Sequence, residues 1–382
     1  MDFTSILNDT YSLVLCFFLA VSLIALCLWY GLGWLRMGLW KDNRLPKGAE
    51  VPGGDLPSVS VVMVAHNEAE ALRKSLPYLL EQDYPNYEVV VVAYTSSDDT
   101  KFVLRVCHEN YSHLKPVIFE RDVNMFQGKK YPLSIGIKSA SKDVILLTEP
   151  DCVPSDFGWI REMMTGFTRD ADIVLGYSKI VPQKGLLNLL QRYENVTFSC
   201  RYLSRALYGC PFTGTGRNLS FGRDFFFAKG GFISHYQFPE GADDLFVNRN
   251  ATSKNTAVVL RPGAETVREA VADARQWRLD RRECMRSRRH YPVGQKMGLL
   301  FYPLMQLLFV LALVLLWTGG IMLWQILAGV LAVRIIWEMV CFYFLAKRFE
   351  MNRLWWAVPF FELYFLISNT FLWFTSLFGK KK

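Results

Sequence analysis

The sequence predicts an open, doubly wound α/β domain that is held between membrane-spanning helices. Segments with strand character and helix character alternate between residues 58 and 148, which is the order of elements in α/β proteins with a parallel sheet. Long, predominantly apolar segments lie on both sides of this region. The chain of 382 residues is 51% apolar, and the excess of apolar residues is concentrated in those flanks.

The α/β region begins with the run SVSVVMVA at 58–65, which is typical of a strand buried on both faces of a parallel sheet. Farther along, Asp98 and Asp99 are expected to cap a helix that reaches about Asn110. The predicted elements, in order, are a strand at 58–65, a helix at 68–82, a strand at 87–93, a helix ending near 110, a strand at 116–120, a helix at 129–140 and a strand at 143–148.

Four apolar segments are long enough to cross a bilayer as helices. The first, at 11–35, has no Lys or Arg before it, unlike a cleaved signal peptide, so we expect a retained anchor. The other three lie at 298–317, 321–345 and 355–378. The expected organisation is an anchor at 1–40, a water-exposed domain at 41–296 and C-terminal membrane helices at 297–382.

Lys and Arg residues cluster at the span ends next to the water-exposed domain. By the positive-inside rule, this predicts a multi-pass protein whose domain is cytoplasmic, at a bacterial inner membrane. The lysine tail at 380–382 is an exception to the rule. Eight cysteines without a C-x-x-C pair agree with a reducing compartment. The formal charge of +8 suits an anionic leaflet or an anionic substrate without choosing between them.

The segment ILLTEPDCVP at 145–154 places two carboxylates directly after the fourth predicted strand. Ligands of open α/β sheets bind beyond the carboxyl ends of the strands. Because alternate residues of an extended chain project to the same side, Glu149 and Asp151 are candidates to hold Mg²⁺ or Mn²⁺, which prefer oxygen ligands. Acids and prolines are also common turn residues, so the tripeptide taken alone could be a turn.

Transfer of a sugar from a nucleoside diphosphate would need residues of these kinds. A divalent cation held by carboxylates would neutralise the departing diphosphate, and arginines would pair with its phosphates. A carboxylate base must take the proton of the acceptor hydroxyl, and a base on the face opposite the leaving group gives a single displacement with inversion. Asp243 and Asp244 are the candidate bases, and Arg217, Arg286 and Arg289 are the available arginines.

With these residues in place, the chain resembles the membrane-bound family 2 glycosyltransferases of the GT-A fold, which include ceramide glucosyltransferase and the processive synthases. The resemblance extends from about residue 57 to residue 290, and the anchor before the domain and the spans after it also match. Its segments, in the family's order, are VSVVMVAHNEAEAL (59–72), LLEQDYPNYEVVVV (79–92), Gln127-Gly128-Lys129, LLTEPDCVP (146–154), GTGRNLSF (214–221) and GADDLF (241–246).

The resemblance implies roles for individual residues. His66, Asn67 and Glu68 would line the uridine pocket, Asp98 would lie near the nucleotide, and Lys129 would approach the phosphates. Glu149 and Asp151 match the D-x-D positions, with Asp151 the first choice as metal ligand. The acceptor and diphosphate motif would be Arg286-Ser287-Arg288-Arg289-His290, in which His290 replaces a tryptophan.

Three positions depart from the family pattern. Ala93-Tyr94 stands where a pair of acids usually reads the base, which leaves the nucleotide undecided. Glu149 is one methylene longer than the usual first aspartate. Ala242 stands at the position of the usual base, so that Asp243 would have to act after a shift of one residue, while Asp244 could be structural.

We therefore expect an inverting glycosyltransferase that moves a sugar from a nucleotide donor, with UDP favoured, to a lipid-linked or membrane-proximal acceptor. The partners expected are a nucleotide sugar, that acceptor and the bilayer, with no nucleic acid. The alternatives are a polyisoprenyl-phosphate glycosyltransferase of similar fold and a catalytically silent subunit that binds a nucleotide or a partner.

Two helical features outside these motifs also carry predictions. The amphipathic segment 186–208 either rests on the membrane surface or packs on the sheet. Arg334 and Glu338 stand four residues apart within a span and are expected to satisfy each other inside the bundle.

Overall fold

In this computed structural model, the described residues are 3–41, 56–119, 128–167, 171–351 and 354–378. The predicted positions at Glu120, Gln127 and the tail at 380–382 lie outside them. The chain divides into two compact units. One is Asp42–His290, and the other combines Met1–Lys41 with Tyr291–Lys382.

The described residues include ten strands and thirteen α-helices, besides one π-helical and three 3-10 turns. The strands are β1 (Val59–Ala65), β2 (Tyr87–Tyr94), β3 (Leu114–Phe119), β4 (Val144–Leu147), β5 (Cys152–Pro154), β6 (Ile173–Leu175), β7 (Ser178–Ile180), β8 (Leu219–Gly222), β9 (Thr256–Val258) and β10 (Thr266–Arg268). The helices are α1 (Phe3–Trp29), α2 (Arg36–Leu39), α3 (Ala69–Leu80), α4 (Thr100–Asn110), α5 (Lys130–Ser139), α6 (Trp159–Met164), α7 (Leu186–Leu207), α8 (Arg223–Ala228), α9 (Asp243–Asn250), α10 (Ala274–Arg288), α11 (Val293–Thr318), α12 (Trp324–Arg348) and α13 (Val358–Phe378).

The α/β unit is built on a seven-stranded sheet in the order β3-β2-β1-β4-β8-β6-β9. The pairings among β3, β2, β1 and β4 are parallel, whereas β8 runs antiparallel to both β4 and β6. The predicted α/β class is thus confirmed, and the sheet is mixed beyond its fourth strand. Because β1, β2 and β4 are parallel neighbours, the polar residues that follow them meet at one edge.

Burial on both faces explains why β1 is almost wholly apolar. Val61, Val62 and Met63 are completely buried, as expected for a central strand with helices on both sides. On one face, α5 lies so close that a Cβ at Gly136 would come within 2.8 Å of a methyl group of Val62. This close packing brings the N-terminus of α5 to the edge where the strands end.

A second sheet of three strands, in the order β5-β10-β7, sits directly after the acidic segment. The strand β5 begins at Cys152, so Glu149-Pro150-Asp151 connects the large sheet to the small one. The antiparallel pairing of β10 with β5 sets Arg268 opposite Cys152. The tripeptide is therefore a crossing between two sheets, with strand β10 beside it.

Two local predictions are refined by the structure. Asp98, rather than Asp99, caps α4, since its Oδ1 accepts the Thr100 N–H at 3.0 Å while Asp99 makes no side-chain cap. The amphipathic helix α7 buries one side of its length, including Tyr193, Val196 and Leu203, and contacts β7 and β9. Of the two predictions for this helix, packing on the sheet is the one that the structure supports.

The second unit holds long apolar helices. Among the described residues, three helices are long and apolar enough to cross a membrane, namely Thr10–Leu39, Val293–Thr318 and Trp324–Arg348. The first includes a π-helical turn at Tyr30–Leu35. The predicted fourth span coincides with α13, a helix of 21 residues that is not among these three. By length and composition, the three helices fit a membrane-associated protein.

The prediction that Arg334 pairs with Glu338 is wrong. Arg334 Nη2 instead lies 2.5 Å from Glu362 Oε2 on α13 and also donates to the Tyr30 hydroxyl at 3.0 Å. The hydroxyls of Tyr30 and Tyr302 both donate to Glu362. Glu362 therefore gathers partners from three other segments, an arrangement that the spacing within α12 could not reveal.

Candidate functional site

Glu149 is held between two cations at the end of β4. Its Oε1 accepts a hydrogen bond from Lys129 Nζ at 3.0 Å, and its Oε2 lies 2.9 Å from Arg217 Nε. Burial alone would raise the pKa of Glu149, but the charges of Arg217 and Lys129 outweigh it and hold that pKa well below its usual range. Glu149 is thus an ionised carboxylate, and both of its oxygens have cationic partners.

Asp151 is exposed beside this ion-paired cluster. Ligand atoms of Glu149, Asp151 and Cys152 lie within 4.8 Å of one another. Burial raises the pKa of the Cys152 thiol, which keeps it protonated and unsuited to a hard cation. The carboxylate oxygens fit Mg²⁺ or Mn²⁺, and Asp151 is the better placed because Glu149 would have to give up an ion pair to reach the metal.

Arg268 is a functional candidate that sequence reasoning missed. Its charge interacts with Asp151 and Glu149, and burial followed by the repulsion of Arg217 lowers its pKa. Its Nε atom is buried without a hydrogen-bond partner. Only the pairing of β10 with β5 brings it here. Together with Lys129 and Arg217 it makes an excess of positive charge around the two acids, which suits a polyanion such as a diphosphate.

His66 and Asn67 tie the end of β1 to the end of β2. His66 Nδ1 lies 2.9 Å from the Tyr94 carbonyl oxygen, and Asn67 Oδ1 accepts the Ser97 N–H at 2.8 Å. Asn67 has a φ of 55°, a left-handed conformation that asparagine tolerates better than most residues. Both side chains are exposed at this edge, and the residue that His66 contacts, Tyr94, stands where an acid is usual in the family.

Glu68 and Asp98 occupy the same edge in different ways. Burial raises the pKa of Glu68, and the neighbouring charge of Asp151 raises it further, so Glu68 lies in the field of the acidic pair. The Oδ2 atom of Asp98 accepts the Ala69 N–H at 3.0 Å, while its other oxygen caps α4. Asp98 therefore joins the first turns of α3 and α4, and its contact with a nucleotide stays a prediction.

Asp243 and Asp244 begin α9 but have different surroundings. Asp243 accepts a hydrogen bond from the Gly216 N–H, and burial together with the charge of Asp244 raises the pKa of Asp243 to about 6. Asp244 accepts hydrogen bonds from the Ser287 hydroxyl and, at 2.8 Å, from the Leu245 N–H. Asp243 thus has the environment of a general base, and Asp244 that of a residue that fixes α10 to α9.

The predicted acceptor motif lies beside this pair. Arg286 Nη1 is 3.8 Å from a carboxylate oxygen of Glu240, and the His290 ring stacks on Phe238 with centroids 3.5 Å apart. Arg289 is exposed at the end of α10. The end of α10 is therefore packed on the segment that leads into Asp243, although no feature of the sequence indicated the contact through Ser287.

The fold and this cluster define a class of protein, a GT-A glycosyltransferase domain with acids and cations at the strand ends. Residues 60–224 match the family profile described as "Glycosyl transferase family 2". Residues 60–224 therefore form a family 2 glycosyltransferase domain, which confirms the predicted resemblance and the predicted class of enzyme.

Several curated proteins are similar to parts of the chain. The probable glycosyltransferase YdaM of Bacillus subtilis is 30% identical over 48% of this chain and 44% of its own length. The glycosyltransferase AglE of Haloferax volcanii is 31% identical over 37% of this chain and 46% of its own length. A poly-beta-1,6-N-acetyl-D-glucosamine synthase of Staphylococcus epidermidis is 26% identical over 41% and 38%. The chain spans less than half the length of each of these relatives.

Among solved structures, the mannosyltransferase PcManGT from Pyrobaculum calidifontis, in complex with GDP-Man and Mn²⁺, has the same fold. The TM-score is 0.55 with 21% sequence identity, and the match covers 88% of this chain and 99% of that one. At this identity the likeness concerns the fold.

Proposed function

We propose that the chain is an inverting glycosyltransferase that moves a sugar from a nucleotide donor to a lipid-linked or membrane-proximal acceptor. One observation carries the proposal. Two consecutive residues contact acids on the two sides of the site. Gly216 donates its N–H to Asp243, the candidate base, and Arg217 pairs with Glu149 of the acidic segment. The candidate base and the proposed diphosphate site are thus both held by residues 216–217, through the backbone N–H of Gly216 and the side chain of Arg217.

On the donor side, Lys129, Arg217 and Arg268 would bind the diphosphate. Asp151 would hold a divalent cation, and such a cation would neutralise negative charge on the departing nucleoside diphosphate. Lys129 and Arg217 keep Glu149 ionised, and Glu149 in turn would hold these two side chains in place at the proposed diphosphate site. His66, Asn67, Glu68 and Asp98 would line the nucleoside end of the site, with UDP favoured by the resemblance.

On the acceptor side, Asp243 would take the proton of the attacking hydroxyl. A pKa of about 6 leaves most of Asp243 ionised at pH 7 while keeping it more basic than an ordinary aspartate. The Oδ2 atom accepts from Gly216, so Oδ1 is the atom proposed to receive the proton. Attack from the face opposite the diphosphate gives a single displacement and inverts the anomeric configuration. Arg286, Arg289 and His290 would contact the acceptor or the diphosphate.

The apolar helices support a lipid-linked acceptor. We propose a multi-pass protein of an inner membrane with an anchor at 1–40, a cytoplasmic domain at 41–296 and membrane helices at 297–382. A protein that spans the bilayer meets membrane lipids without a diffusional search in solution, whereas nucleotide sugars reach its domain from the cytoplasm.

The test uses the full chain purified in detergent with Mn²⁺, a panel of UDP-linked and GDP-linked sugars, and membrane lipid extract as acceptor. Release of nucleotide and the anomeric configuration of the product are measured for the wild type, Asp151→Ala and Asp243→Asn. Transfer with inversion that both substitutions abolish supports the proposal. The enzyme proposal fails if no donor is consumed and Asp151→Ala changes neither metal nor nucleotide binding. Nucleotide binding without transfer would instead indicate a silent subunit, and a polyisoprenyl-phosphate product would indicate that alternative acceptor.

A further inference from the structure

Two consecutive lysines at the start of α5 bind opposite sides of the candidate site. Lys129 reaches Glu149 on the donor side, whereas Lys130 is turned toward the segment 235–240 that precedes Asp243. We infer that Lys130 is a positioning residue, which holds this segment against the turn at 128–130 and thereby sets the place of Asp243 relative to the donor. The inference rests on the proposed function and adds a residue to it.

Lys130 is a buried cation whose partners are backbone carbonyls. Only 3% of the surface of Lys130 is exposed to solvent. Its Nζ atom donates to the carbonyl oxygens of His235 at 2.9 Å and Glu240 at 2.7 Å, and to that of Phe238. An ammonium group has three donors, and these three bonds use all of them. Burying such a group is costly unless it is hydrogen-bonded, so the three carbonyls and the ammonium hold one another in place.

Gly128 provides independent evidence that the two segments are docked. Its φ is +98°, and a Cβ atom at this position would lie 2.3 Å from the Pro239 carbonyl oxygen. Only glycine fits a backbone approach of this kind together with that conformation. The turn at 128–130 therefore contacts segment 235–240 through its backbone at Gly128 and through a side chain at Lys130.

Only Gly241 and Ala242 separate the held segment from Asp243. His235 Nε2 lies 3.3 Å from the Ala242 carbonyl oxygen, and Asp243 is the first residue of α9. Burial, with the charge of Lys130, lowers the pKa of His235 to about 4, so a neutral imidazole donates this bond at neutral pH. The contacts thus run from Lys130 through His235 to the backbone next to the candidate base.

The experiment compares Lys130→Met with Lys129→Met in the full chain, and uses Lys138→Met as the matched control because Lys138 is exposed on the same helix. Lys130→Met is expected to lower kcat for transfer by about 10- to 100-fold, since a misplaced base loses much of its catalytic contribution. The donor KM and the nucleotide Kd should stay within about twofold of the wild type. Lys129→Met should instead weaken nucleotide binding, and Lys138→Met should change neither.

A second measurement does not depend on activity. Limited chymotrypsin digestion at Phe238 should become faster in Lys130→Met and in Gly128→Ala, because both changes release the segment, and should be unchanged in Lys138→Met. Wild-type kcat and wild-type digestion in Lys130→Met would overturn the inference, and so would a loss confined to donor KM. A wild type that transfers no sugar while Lys130→Met still releases the segment would overturn the proposed function and leave the docking contact standing.

Discussion

Arg217 Nε lies 2.9 Å from Glu149 Oε2, and Lys129 Nζ lies 3.0 Å from the other carboxylate oxygen of the same residue. Glu149, the first acid of the D-x-D-like segment, therefore has a cationic partner on each of its carboxylate oxygens. The two acids of Glu149-Pro150-Asp151 therefore differ in their ability to bind a metal. Both oxygens of Glu149 are paired, which leaves Asp151 as the carboxylate most able to bind one.

Asp151→Asn should weaken Mn²⁺ binding by about 10-fold or more in the presence of a nucleoside diphosphate, since a hard cation loses its anionic oxygen ligand. Glu149→Gln should reduce Mn²⁺ affinity much less and should weaken nucleotide binding, because Arg217 and Lys129 lose their anchor. Electron paramagnetic resonance of Mn²⁺ measures the first effect and calorimetry the second. Equal losses of Mn²⁺ affinity in both variants would show that Glu149 is a ligand as well.

Arg268→Gln should weaken binding of a nucleoside diphosphate by about 1.5–3 kcal/mol, the usual contribution of a hydrogen bond to a charged group. Binding of a nucleoside monophosphate should be affected less, because Arg268 lies beside the acids of the proposed diphosphate site. Arg275→Gln is the matched control, since Arg275 is exposed on the neighbouring helix α10. Calorimetric titration of each variant with UDP and UMP provides the comparison, and an unchanged UDP affinity in Arg268→Gln would remove Arg268 from the site.

The rate of transfer should fall as pH drops through about 6. Burial and the charge of Asp244 raise the pKa of Asp243 to about 6, so the proposed base is ionised above this pH and protonated, hence unable to accept a proton, below it. The acid limb of the kcat/KM profile, which reports the pKa of the free enzyme, should therefore have its midpoint near 6, and a midpoint near the ordinary aspartate value of about 4 would contradict the assignment.

Asp243→Asn should lower kcat by about 10²- to 10⁴-fold, which is the usual contribution of a general base. Asp244→Asn should have a smaller effect on kcat, because Asp244 is bound to Ser287 and Leu245. Single-turnover rates of both variants, with circular dichroism as a check of folding, make the comparison. Equal activity of the two variants would remove Asp243 as the base.

Glu362→Gln should destabilise the membrane unit by about 3–5 kcal/mol, because it leaves the buried Arg334 without its anionic partner. Glu338→Gln is the matched control, since Glu338 is also fully buried near Arg334 but the ion pair is made by Glu362. Thermal unfolding of the detergent-solubilised chain would show a clearly lower midpoint for Glu362→Gln. Identical midpoints would mean that the ion pair carries no stability.

Much of the fold could be predicted because it depends on local patterns. The buried run at 58–65 and the alternation of strands and helices have the periodicity that sheets and helices require, and the structure has strands β1, β2 and β4 within about a residue of the predicted bounds. The antiparallel insertion of β8 and the small sheet of β5, β10 and β7 could not be predicted, because strands of three or four residues carry little pattern and are defined by their partners.

The sequence by itself determined the class of protein, the apolar helices and the acids after β4, since apolar runs and motif order are properties of neighbouring residues. Only the tertiary structure decided that Glu149 is bound by Lys129 and Arg217, that Arg268 lies beside Asp151, and that Arg334 pairs with Glu362 and not with Glu338. The physical reason is the same in each case. The strength of an electrostatic interaction depends on the distance between the charges. Residues far apart in the chain come close enough to interact only when the sheets and helices pack.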